Sequence, residues 1–308
     1  MSKVIVTGAG GFIGSAVVKT LLDKDAAVFG IDIDKNKLTQ FEHYKNFTPI
    51  VADFSIYNTL DKLISDRQFD LFIHLAWTGS FGGEDYYNYK LHNKNIDAVC
   101  EACEISAKLL VKRFVFCGSS YQSMISDSAV FPVNYYGITK RAAADYCMAM
   151  CGKNGVECNI AILTNTYGVG DTSQKAVNTF LKKLMNNEDL FLIVGDKCND
   201  WVYISDTVSG IIAVSESPYS FKQYYVGHRN ISTFKEKLIA MKDILHSKSE
   251  LKFGEYKDET FVNYTDFDLD ALYNDTGFEC KSDFHESILK TAEWLKARNA
   301  RDTYITND

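Results

Sequence analysis

Through the first half of the chain, short apolar runs alternate with amphipathic stretches. The runs at 4–7, 27–31, 71–75, 114–117 and 159–163 read as strands. Between the first two, Ile13, Ala16, Val17, Thr20 and Leu21 recur at helical spacing and give one apolar face. This alternation predicts βαβ units and a parallel sheet. The second half is less regular, with strands predicted at 190–194 and 202–204 and helices at 233–245, 268–276 and 282–298. There is no internal repeat, low-complexity run or linker. The expected fold is therefore α/β: a Rossmann-type doubly wound parallel sheet over 1–165, completed by parts of 206–230, with a smaller mixed α/β substrate lobe at the C-terminus over 166–308.

Composition narrows the partners. The 308 residues are 46% hydrophobic and 24% charged, with 3 prolines, which are globular proportions. A net charge of −7 disfavours binding to a nucleic-acid backbone. No apolar stretch approaches the roughly 20 residues that span a bilayer. The opening Met-Ser-Lys leads into an apolar run without the marks of an export signal. A cytoplasmic chain with reduced thiols is expected, with neither membrane nor nucleic acid as partner. The pair Cys100 and Cys103 has metal-like spacing but falls within a helical apolar pattern, so the two are expected as small core residues. The 6 histidines are scattered, and no metal is expected.

Gly8, Gly11 and Gly14 follow the first strand and open the first helix. That placement suits a tight turn, a close approach of pyrophosphate to backbone, and close helix–strand packing, with the phosphates at the helix N-terminus. Asp32, at the end of the second strand, is placed to accept from the adenosine ribose hydroxyls. Its charge, with that of Asp34, would repel a 2′-phosphate, so NAD is favoured over NADP. Asp53 ends a third strand, where it either reads the adenine amino group or caps a helix. Tyr136 and Lys140 stand four residues apart on one helical face, an arrangement in which an ammonium favours the phenolate as a base. Ser119, at a strand end, is placed to hydrogen-bond the same substrate oxygen. A second pair at this spacing, Tyr86 and Lys90, lacks such a serine.

Taken together, TGAGGFIG, Asp32, His74-Leu75-Ala76, the Ser119-Ser120 strand end and YGITK resemble the extended short-chain dehydrogenase/reductase superfamily. Within it, the resemblance is to the NAD-dependent epimerase/dehydratase family, which modifies nucleotide sugars. The resemblance implies that Tyr136 is the acid/base, Lys140 its cationic partner and ribose ligand, and Ser119 the assisting hydroxyl. It also implies cofactor contacts from Phe12, Ile13, Leu75, Ala76 and Asn95 and a substrate contact from Asn165; Ser120, Asn199 and Arg229 are further expected substrate contacts. A homodimer packed through two helices per subunit is implied as well. The chain departs from the family pattern in places. Ser120 and Tyr121 stand where dehydratases carry an Asp-Glu pair, which disfavours dehydration. Ile162 replaces a usual arginine and Asn199-Asp200-Trp201 a usual Arg-Asp-Phe, which weakens a diphosphate clamp that Arg229, Lys252 or Lys257 would have to replace. The expected function is an NAD-dependent nucleotide-sugar epimerase. The alternatives are an NAD(P)H-dependent nucleotide 4-keto-6-deoxysugar reductase and a noncatalytic dinucleotide-binding protein.

Overall fold

The computed structural model describes residues 2–79, 84–128 and 134–305. Seven strands form the central parallel sheet: β1 (Lys3–Thr7), β2 (Ala27–Asp32), β3 (Phe47–Val51), β4 (Leu71–His74), β5 (Arg113–Ser119), β7 (Glu157–Leu163) and β11 (Lys222–Val226). Their order is β11-β7-β5-β4-β1-β2-β3. The order reverses beside β1, and open α/β sheets of this kind bind ligands in the crevice at such a switch point. Pro49 lies in β3, an edge strand, where a missing N–H is tolerated.

Helix α1 (Phe12–Asp23) buries Val17, Val18, Leu21 and Leu22 on one side of the sheet, and α7 (Ile204–Glu216) packs beside it. On the opposite face lie α4 (Tyr89–Lys108) and α5 (Tyr135–Asn154), which cover Phe72, Phe114 and Phe116. Cys103 on α4 is buried as expected, whereas Cys100, one turn earlier, is only half-buried. The Cys103 Sγ lies 3.6 Å from that of Cys147 on α5, which is 3.4 Å from Cys158 on β7, so these thiols are packed into the core. The short helices α2 (Lys35–Leu38) and α3 (Leu60–Leu63) lie between sheet strands.

Among the described residues three two-stranded pairs lie outside the sheet: β6 (Met124–Ser126) with β13 (Thr260–Val262), β8 (Asn165–Tyr167) with β10 (Trp201–Tyr203), and β9 (Leu190–Leu192) with β12 (Leu251–Phe253). The expected strand at 190–194 stops at Leu192. The one expected at 202–204 ends a residue early, because Ile204 begins α7. A separate apolar cluster built on Leu181, Trp201, Phe234, Leu238 and Ile288 holds α6 (Ala176–Met185), α8 (Phe234–Ile244) and α10 (Phe284–Ile305) together. Helix α9 (Ala271–Thr276) packs instead towards α7 and β11 through Leu272. Among the described residues no helix is long and apolar enough to cross a membrane.

Candidate active site

The turn after β1 is held by a close contact. Gly8 sits at φ +69°, and a Cβ on Gly14 would lie 1.9 Å from the Gly8 carbonyl oxygen, so α1 approaches the strand as closely as it does only because Gly14 has no side chain. Beyond the turn opens a cleft of about 700 Å³, lined by Gly8, Gly11, Asp32, Asp53, Leu75 and Ala76 among others. A Cβ on Gly11 would meet only the Gly8 oxygen, at 3.2 Å, so the backbone there is bare towards the cleft. Phe12 and Ile13 start α1 behind the turn and pack against the sheet. Thr7, which the spacing of glycines does not single out, braces the opposite wall. Its hydroxyl lies 3.1 Å from His74 Nδ1 and accepts from the Leu75 and Ala76 amides.

Asp32 has two tasks. Its carboxylate accepts from the Gly10 amide at 2.8 Å and the Asp34 amide at 3.0 Å, so it shapes the glycine-rich turn while facing the cleft. Asp53 caps the 3-10 turn Phe54–Thr59 through one oxygen, which takes both the amide and the hydroxyl of Ser55 and lowers the carboxyl pKa. The other oxygen has no partner among the described residues. Asn95 does not line the cleft. It is buried, accepts from the Thr78 amide and donates to the Thr78 carbonyl, both at 2.8 Å, and thereby clamps the cleft-lining segment after β4. This turn, the bare backbone and a carboxylate at the end of β2 fit a dinucleotide.

The candidate catalytic side chains converge beside this cleft. Asn134 caps α5, accepting from the Gly137 amide and donating to the Tyr121 carbonyl at 3.4 Å. A Cβ on Gly137 would lie 2.1 Å from that same carbonyl. The glycine and the cap together press the start of α5 against the segment following Ser119, and neither is visible in the Tyr-to-Lys spacing. Burial raises the Tyr136 phenol above its ordinary pKa, and the neighbouring Ser119 hydroxyl pulls it only part of the way back. The expected lowering by Lys140 is thus absent in the protein alone: burial pushes Lys140 itself down to about 7, and its Nζ donates to the Cys117 carbonyl at 2.8 Å. The competing pair is not arranged this way. Tyr86 falls in the 3-10 turn Glu84–Tyr87, while Lys90 is exposed in the first turn of α4.

The expected substrate residues scatter. Asn165 lies at the centre of a relay, accepting from the Tyr121 hydroxyl and donating to Asn199 Oδ1, each at 2.9 Å. Tyr121 and Asn199 also line a second cleft of about 420 Å³, together with Lys197, Tyr256, Lys257 and Phe261. Ser120 is not available to a substrate, because it is fully enclosed and its hydroxyl donates to Thr164 at 3.4 Å. Arg229 lies on neither cleft; it is paired with Asp270 and stacked over Tyr273, with 4.2 Å to the ring centroid. Lys252 is engaged by Asp189 at 2.9 Å. Lys257, by contrast, lines the second cleft.

Sheet order, glycine turn and cleft define a dinucleotide-binding α/β chain of the Rossmann type. The chain belongs to the NAD dependent epimerase/dehydratase family, whose model matches residues 4–227. It is 27% identical to the uncharacterized UDP-glucose epimerase YtcB of Bacillus subtilis, over 82% of this chain and 85% of that one. It is 24% identical to CDP-abequose synthase of Yersinia pseudotuberculosis, over 83% and 89% of the two chains. Among solved structures, a mutant UDP-glucuronic acid 4-epimerase from Bacillus cereus, crystallised with a fluorinated UDP-glucuronic acid and NAD, superposes with a TM-score of 0.80. It shares 20% identity and covers 96% of this chain and 99% of that one.

Proposed function

We propose that the chain is an NAD-dependent epimerase of nucleotide sugars, with Ser119, Tyr136 and Lys140 as its catalytic groups. The convergence of these three side chains beside the glycine-turn cleft carries the reading. Bound NAD would supply the acceptor and later the donor of hydride at one sugar carbon. In its phenolate form, favoured by positive charge from Lys140 and from bound NAD, Tyr136 takes the proton of the carbinol hydroxyl and becomes the phenol, and Ser119 steadies the substrate oxygen. The same phenol returns the proton after the keto sugar has turned over, so no net oxidation occurs. Lys140 contributes positive charge and a donor for the nicotinamide ribose. Asp32 faces the adenosine ribose and selects NAD, Asn95 positions the Thr78 segment, and Asn165 with Asn199 leads towards a sugar-nucleotide seat in the second cleft.

A reductase reading keeps the same residues and consumes a reduced cofactor. It is favoured by the 25% identity to dTDP-4-dehydro-6-deoxyglucose reductase of Escherichia coli, over 74% of each chain. Dehydration is placed last, since an enclosed Ser120 and a Tyr121 tied to Asn165 offer no acid to a leaving hydroxyl. We further take 1–165 with parts of 206–230 as the cofactor domain and the remainder as the substrate lobe. We assign the chain to the cytoplasm as a homodimer, joined by the faces of α4 and α5 that expose Tyr89, Ile138 and Tyr146.

The test is a screen of nucleotide sugars with the purified protein, with and without added NADH or NADPH. Conversion without consumption of added cofactor supports the epimerase. Stoichiometric consumption supports the reductase, and no conversion by a protein that binds NAD supports the noncatalytic alternative.

A further inference from the structure

Lys140 is a buried cation with no anion paired to it among the described residues. Its Nζ makes no ion pair among the described residues and donates one hydrogen bond, to the Cys117 carbonyl. Three elements pack around it. Strand β5 brings Phe116 and the Cys117 thiol, which burial holds protonated with its pKa up at about 12. The end of β4 brings His74, neutral because burial drives it down to about 3, and the segment after it brings Trp77. Its own helix brings Tyr136. The charge that acts on it, Lys175 ahead of α6, has the same sign.

What faces the ammonium is aromatic. Nζ lies 3.9 Å from the Trp77 ring centroid, against 4.9 Å for Phe116 and 5.9 Å for Tyr136. Tryptophan is the strongest cation–π acceptor of the three, and the interaction is largest where water is excluded. Trp77 also lines the cofactor cleft and stands edge-on to Tyr136 with 6.0 Å between ring centroids. Its indole therefore touches the base, the cation and the cofactor cleft at once. A ring in this place has two opposed effects: it keeps water away, which disfavours the charge, and its π face attracts the charge.

We infer that Trp77 is the counter-group of Lys140, a positioning residue whose indole face holds the ammonium charged and in place beside Tyr136 and the cofactor. The inference rests on the role proposed above for Lys140 and adds the residue that sustains it.

The test is the pH dependence of NAD affinity by calorimetry for the wild type, Trp77→Phe, Trp77→Leu and Lys140→Met, with melting curves to establish folding. The 13Cε shift of Lys140 is followed in parallel in the cofactor-free protein. In the wild type, affinity should fall as the pH rises through the Lys140 titration near 7. In Trp77→Leu the midpoint of both readouts should move down by about one pH unit, and in Trp77→Phe by less. An unchanged midpoint overturns the inference, and an upward move shows that the ring acts only by excluding water, which overturns it too. The two readings fail separately. If Lys140→Met keeps the wild-type pH profile of affinity, the role of Lys140 at the cofactor falls; if it loses that profile while Trp77→Leu leaves the midpoint unmoved, only the role of Trp77 falls. Should Trp77→Leu not fold, Trp77→Phe and the Lys140 shift still decide the sign.

Discussion

Burial raises the Tyr136 phenol pKa, and among the described residues the Ser119 hydroxyl beside it pulls the other way. Replacing Ser119 with alanine should raise the phenol further, so the acidic limb of the pH–rate profile moves to higher pH and turnover at neutral pH falls roughly tenfold or more. Measured kcat across pH checks this, and a limb that stays in place contradicts the pairing. Lys140 gives a stability prediction of the opposite kind. Its folded pKa is depressed to about 7 while an unfolded lysine titrates near 10.4, so between these values the unfolded chain binds the extra proton and stability should rise with pH. Lys140→Met should remove that rise and be more stable than the wild type near pH 6, by about 1–4 kcal/mol. Denaturant titrations at two pH values read it. Asp32→Ala should weaken NAD while sparing NADP. Because its carboxylate also holds the Gly10 and Asp34 amides, a lower melting temperature should accompany the change.

At the scale of elements, two glycines of one turn should respond differently. Gly14→Ala drives a Cβ into the Gly8 carbonyl and must displace α1, costing on the order of 2–3 kcal/mol as overpacking does. Gly11→Val projects into the cleft, so NAD affinity should vanish while the melting temperature stays within a few degrees. Thermal melts with NAD titrations separate the two cases, and the reverse pattern would place the phosphates elsewhere. This turn was legible in sequence because strand, glycines and amphipathic helix are consecutive. The five inner strands of the sheet were legible for the same reason, each carrying an apolar run, whereas the edge strands β3 and β11 were not, because Thr48 and Pro49 interrupt the one and Lys222 and Gln223 open the other. The C-terminal lobe was not, because pairs such as β8 with β10 join strands of three residues, too short to carry a period. Thr7, Asn134 and Gly137 escaped notice because they act through particular contacts, most of them with backbone, which spacing does not encode. Ser120 and Arg229 were misplaced because enclosure by Thr164 and pairing with Asp270 depend on residues over 40 positions away.

For the whole molecule, the proposed arrangement makes the cofactor a stabiliser of the folded state. NAD at about 100 times its Kd should add about 2.7 kcal/mol to stability, and Gly11→Val should abolish the gain. If α4 and α5 join two copies, Tyr146→Glu should convert a dimer into a monomer in light scattering while NAD binding persists, since Tyr146 is exposed and lines neither cleft. The most direct test of the central claim is kcat of Tyr136→Phe relative to wild type, on whichever nucleotide sugar the screen identifies, with Tyr86→Phe measured beside it. The account predicts a loss of about 10² to 10⁴ for Tyr136→Phe with cofactor binding and melting temperature kept, and wild-type turnover for Tyr86→Phe. Normal turnover by Tyr136→Phe would contradict it.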